Sequence, residues 1–118
     1  MPDLDHGSRS ALDRRGPARH QLPAVDEAGL AAARHADRLV AALHVAGNDR
    51  WTAYFEPMPD RLRDDEPRGL RQVALRARAA YGPKDSIRDV VPREVTEPFL
   101  DSIDRLLKQL ARRDTGAA

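Results

Sequence analysis

Between Ala24 and Ala46 the apolar residues Val25, Ala28, Ala32, Ala36, Leu39, Val40, Leu43 and Ala46 recur mostly every third or fourth position. At about 100° per residue they fall within an arc of roughly 120°, the pattern of a helix with one buried face. Glu27, Arg34 and Arg38 take the opposite side. Asp26 and Glu27 complement the positive end of this helix, and Gly47 suits its end because glycine adopts the left-handed conformation that closes many helices.

Asn48 is a fitting N-cap for a second segment, in which Trp51, Tyr54, Phe55, Met58 and Leu62 share one helical face. Pro57 and Pro59 interrupt it. Each disfavours the helical conformation in the residue before it, so Glu56 and Met58 are the expected break points between two short helices set at an angle. The run Asp64-Asp65-Glu66-Pro67 reads as a loop into a third helix with the buried stripe Leu70, Val73, Ala74, Ala77 and Tyr81, closed by Gly82-Pro83. A last helix is expected after Thr96 as N-cap, with Phe99, Leu100, Ile103, Leu106, Leu107 and Leu110 on one face. Its outer side offers the pairs Asp101 to Arg105 and Asp104 to Lys108.

Residues 1–22 contain Leu4, Leu12 and Leu22 as their sizeable apolar groups, without a period, and read as a disordered N-terminal tail. Residues 114–118 are expected to fray. Val90-Val91 is too short for a strand and is followed by Pro92, and no internal repeat is evident. The expected fold is all-α: one compact four-helix bundle-like domain over residues 23–113, with the second helix broken at Pro57 and Pro59.

Composition adds limits. In a chain of 118 residues, 41% are hydrophobic, but many of those are alanine, which allows tight helix contacts while burying little area. A core of this kind gives modest stability and gains from a partner. The absence of cysteine removes disulfides, thiolate metal cages and cysteine nucleophiles. The start Met1-Pro2-Asp3-Leu4-Asp5 lacks a secretory pattern, and no run approaches the roughly 20 apolar residues of a membrane span, so the expected location is the cytoplasm, away from membranes. Eighteen Arg against two Lys, at a net charge of +1, points to a GC-rich bacterial source.

The candidate chemistry is sparse. His35 and His44 stand nine residues apart, on opposite sides of one helix, and cannot chelate a single ion as an i,i+4 pair could. Asp64, Asp65 and Glu66 lack the spacing of a calcium-binding loop, and helix-end electrostatics accounts for them. Ser86 and Asp89, in Ser-Ile-Arg-Asp, have the spacing of a capping box, with a helical turn from Ile87 to Val91 stopped by Pro92. No catalytic, cofactor-binding or metal-ligating residue is assigned. The third helix differs: Arg68, Arg71, Arg76 and Arg78 stand in it without an acid, and Arg68, Arg71 and Arg78 lie on one side. Such a strip suits an acidic protein surface, nucleic-acid phosphates or the neighbouring acidic loop.

The order of a first helix, Gly47-Asn48-Asp49-Arg50-Trp51, then Gly69-Leu70, Ala80-Tyr81-Gly82, Ser86-Ile87-Arg88-Asp89-Val90-Val91 and a closing helix resembles a family of small uncharacterised bacterial helical proteins. In that family a Tyr-Gly turn leads to a Ser, apolar, x, Asp, apolar motif. The resemblance covers about residues 35–110, with Pro83-Lys84-Asp85 standing where a more glycine-rich turn is expected. It implies a fold and no activity.

The expected function is a non-enzymatic protein-interaction module of accessory, regulatory or immunity type. It would bind a protein partner or associate with itself through Arg68, Arg71 and Arg78, with Trp51 and Tyr54 as aromatic candidates. The alternative is nucleic-acid binding through the third helix and the tail residues Arg9, Arg14, Arg15 and Arg19. A third reading is an enzyme or ligand-binding protein whose site assembles from distant residues. No cofactor is implied.

Overall fold

A computed structural model describes residues 16–116, with side chains as far as Arg112. The elements are α1 (Pro23–Ala46), α2 (Asp49–Phe55), α3 (Met58–Asp64), α4 (Pro67–Ala79) and α5 (Arg93–Gly116), with single 3-10 turns at Arg19–Gln21 and Ile87–Asp89. Among the described residues there is no strand, and the domain is all-α. The long helices α1 and α5 pack on each other most extensively; α1 also supports α2 and α3, and α4 bridges α3 and α5.

The stripes meet in one core. Ala28, Ala32, Ala33 and Ala36 of α1 are buried, and their small side chains let neighbouring helices approach closely. Bulk comes from Leu39 and Leu43 at the other end of α1, from Phe55, Met58 and Leu62, and from Phe99, Ile103, Leu106 and Leu110 of α5. Phe55 and Phe99 meet edge to face with ring centroids 5.9 Å apart. Each such side chain contributes about 1.5–3 kcal/mol by leaving water, so these few large groups carry much of the stabilisation that the alanines do not.

The local signals act largely as the sequence implies. Gly47 closes α1 in the left-handed conformation, with φ 68°, and the Asn48 side chain accepts a hydrogen bond from the Trp51 amide at 2.9 Å. The Ser86 hydroxyl accepts from the Arg88 amide, while Asp89 accepts from the Ser86 amide, completing the capping box around a 3-10 turn that is shorter than the expected Ile87–Val91 segment.

Four expectations need correction. The third helix ends at Ala79 with Ala80 as its C-cap, ahead of Gly82-Pro83, so Tyr81 stands half-buried in the turn that follows. The second segment breaks once, over Glu56-Pro57; Met58 opens α3, and Pro59 sits in the first turn, where its missing N–H has no helical partner to lose. Glu56 keeps helical dihedrals despite preceding a proline. The last helix begins at Arg93, before Thr96. The Pro92 carbonyl accepts from the Val95 and Thr96 amides, which starts the ladder early, and Thr96 is fully buried with its hydroxyl donating to Glu97. Pro98 therefore lies inside α5, where the Thr96 reading had put it in the first turn. Finally, order begins ahead of Pro23: residues 19–21 of the expected tail form a turn packed on the domain, while residues 1–15 lie outside the described residues.

Candidate interaction surface

Helix α4 follows directly from the acidic loop, with Glu66 at its N-cap and Pro67 in its first turn. Leu70, Val73, Ala74 and Ala77 turn inward and are fully buried, which fixes the rotation of the helix about its axis. The opposite face then has to carry Arg68, Gln72, Leu75 and Ala79, all exposed, with the half-buried Arg71 at its edge. Leu75 is 53% exposed. It lies across the helix from the buried stripe, and the only signal for it in the sequence was an apolar residue out of phase among arginines.

The arginines on this helix differ in surroundings. Arg78 Nε approaches Asp104 Oδ1 of α5 at 3.5 Å, an ionic contact in which that carboxylate oxygen receives no hydrogen bond. Arg76 lies over the Tyr54 ring, 4.1 Å from its centroid, and the Tyr54 hydroxyl donates to the Arg76 carbonyl. Tyr54 thus joins α2 to α4. Trp51 is buried, edge to face with Tyr54 at 5.2 Å, and is covered by Arg50. Of the five residues expected to form a binding surface, Arg68, Arg71 and Arg78 share α4, whereas Trp51 and Tyr54 contribute mainly to packing.

The charges of α5 work between helices: Asp104 faces Arg78 of α4, and Arg105 lies 3.7 Å from Glu27 of α1. On α1, His44 pairs with Glu56 at 3.3 Å near the surface. His35 is half-buried beside a shallow groove of about 320 Å³ containing Asp101, Ser102 and Arg105. Burial, aided by Arg38 and Arg34, lowers its pKa and favours the neutral ring. The Ser102 hydroxyl there donates to the Phe99 carbonyl, so its proton is already engaged. The Ser86 hydroxyl is likewise held in its cap. Among the described residues no three His, Asp or Glu side chains converge in the manner of a metal site.

The acidic loop supplies structural acceptors. Asp65 accepts from Arg61 Nε at 2.8 Å, and Glu66 accepts from the Arg19 amide at 2.8 Å. The Arg19 side chain is buried between α1 and the end of α3. Its Nε donates to Asp26 Oδ1 at 2.7 Å, Nη1 to the Asp65 carbonyl at 3.1 Å and Nη2 to the Asp26 carbonyl at 3.5 Å. With the Arg19 amide on Glu66 and Leu22 packed on the core, these contacts tie residues 16–22 to the domain. A second anchor holds the turn before α5, where Arg88 grips Glu97 with two hydrogen bonds of 2.9 Å and covers the Tyr81 ring, while the Tyr81 hydroxyl donates to the Thr96 carbonyl. Arg88 holds the Glu97 carboxyl down to about 2, and burial pushes the Tyr81 phenol above its ordinary value. Asp85, at the turn's tip, takes a left-handed conformation with φ 53°, which aspartate tolerates better than most residues.

No family model matches the chain, and no curated protein or solved structure is found to be similar to it.

Proposed function

We propose that this protein is a non-enzymatic interaction module that docks on an acidic surface of another protein through the outward face of α4. The observation that carries this reading is the exposed Leu75 set among arginines on a helix that has no acid of its own. α4 carries four arginines and no acid, while the remaining 16 basic and 19 acidic residues give the rest of the chain a slight negative excess. An arginine-flanked leucine suits a partner that presents carboxylates around an apolar contact, with the charges steering association and the leucine supplying buried area. The same surface suits nucleic acid less well. Arg19, one of the tail cations that reading needs, is buried against carboxyl and carbonyl oxygens. Such a module fits an accessory, regulatory or immunity-type role in the bacterial cytoplasm. Among the described residues no helix is long and apolar enough to cross a membrane.

The test is affinity capture from lysate of the source cell with the tagged chain, Leu75→Glu and Arg68→Ala. The expected result is a stoichiometric protein held by the wild type, released by raised salt and lost in both variants while their unfolding midpoints stay near that of the wild type. Equal retention by all three chains removes this face from the account, and nuclease-sensitive recovery of nucleic acid overturns the reading.

A further inference from the structure

The Arg19 side chain occupies a slot that the rest of the domain builds. The walls are the Asp26 carboxylate, the Asp26 carbonyl and the Asp65 carbonyl. The floor is Gly29, where a Cβ would stand 2.8 Å from Arg19 Nη2 and 3.0 Å from the Leu62 carbonyl oxygen. A planar guanidinium with five donors matches a ring of carboxylate and carbonyl acceptors, and a bare helix surface lets its flat face lie close. Lysine has one donor centre and no such plane. Arg19 itself is only 5% exposed.

Apart from that side chain, the segment carrying Arg19 is held by the Arg19 amide on Glu66 at 2.8 Å, by the Leu22 carbonyl, which accepts the Asp26 amide, and by half-buried Leu22 against the core, while Pro17, His20 and Gln21 of its short turn are exposed. The slot belongs to α1, to the end of α3 and to the Asp65 corner, and requires nothing from residues 16–22 except their arginine. We infer that this slot is an arginine-receiving site, filled in cis by Arg19 and open to an arginine side chain of a partner polypeptide when residues 16–22 swing away. This inference is independent of the α4 face. It assigns the site one ligand chemistry, a guanidinium on a peptide, and makes Arg19 a competitor that sets the threshold for its binding.

The full-length Arg19→Ala chain tests this with N-acetyl-arginine methylamide as probe and N-acetyl-lysine methylamide as the charge-matched control. The arginine probe is expected to raise the Tm of the Arg19→Ala chain by several degrees in a saturable manner, and to leave Arg19→Ala/Asp26→Asn unchanged. The wild-type chain provides a second readout that does not depend on the variant folding. At a probe concentration ten times its Kd for the open slot, hydrogen exchange at the Arg19 and Leu22 amides should accelerate about tenfold, because the probe captures the open form. Equal effects of the two probes, persistence of the shift in the Asp26→Asn background, or unaltered exchange in the wild type would each overturn the inference.

Discussion

Gly29 packs against the Arg19 guanidinium: a Cβ there would come within 2.8 Å of Nη2 and 3.0 Å of the Leu62 carbonyl oxygen, so the arginine has to shift to admit a methyl group. Glycine inside a helix costs about 0.5–1 kcal/mol relative to alanine, so Gly29→Ala would stabilise an unobstructed α1. Here the overlap opposes that gain, and the net expectation is a loss of about 1–3 kcal/mol in urea unfolding. With Arg19→Ala in the background the loss should shrink, leaving a coupling energy above about 0.5 kcal/mol in the double-mutant cycle. Additive effects would show that the two residues do not constrain each other.

The alanine face of α1 is expected to resist enlargement. Ala32 is fully buried in the core, so Ala32→Leu should lower stability by about 1–3 kcal/mol through overpacking. Ala41 is exposed on the same helix, and Ala41→Leu should stay within about 0.5 kcal/mol of the wild type. Thermal melts followed by far-UV circular dichroism distinguish the two; similar behaviour would mean that α1 tolerates bulk on its buried side.

Glu97 links stability to pH. Its carboxyl is held at about 2 in the folded chain, below the ordinary value of 4.5, chiefly by the Arg88 hydrogen bonds. A depressed folded-state value gives a contribution that is complete above the unfolded value and is lost as pH falls through the folded one. Glu97→Gln should therefore lower stability at neutral pH by about 0.2–1 kcal/mol, the range of a surface pair, and the difference should close between about pH 4.5 and pH 2. Paired melts across that range check this, and a difference independent of pH would assign the effect to packing.

The turn before α5 depends on two hydroxyls. Ser86→Ala removes the cap of the Ile87–Asp89 turn and should cost about 0.5–2 kcal/mol. Tyr81→Phe removes the hydrogen bond to the Thr96 carbonyl and should cost about 0.5–1.5 kcal/mol. Chemical denaturation measures both, and a cost near zero for each would show that Arg88 and Glu97 hold the turn alone.

Much of the fold was legible in the residues themselves, since its determinants are local. The three- and four-residue spacing in α1, α4 and α5, the left-handed Gly47, the Asn48 cap and the Ser86 to Asp89 box each act within a few residues of where they stand. The arginines of α4 were legible for the same reason, as helical phase alone puts Arg68, Arg71 and Arg78 on one side. Local signals misled where two elements offered competing solutions: Thr96 is a good cap by composition, but the carbonyl of Pro92 started α5 earlier and left Thr96 in the core. What only the tertiary structure decided were the partners across the chain. Arg19 joins the domain through Asp65 and Glu66, more than forty residues away, as well as through nearby Asp26, and Leu75 is exposed because α4 is packed on its other side. Sequence by itself determined the helices and their inward faces, because backbone propensity and hydrophobic phase act over a few residues; packing decided which charges are consumed and which surface is left, because burial and pairing depend on groups that the chain brings together only when folded.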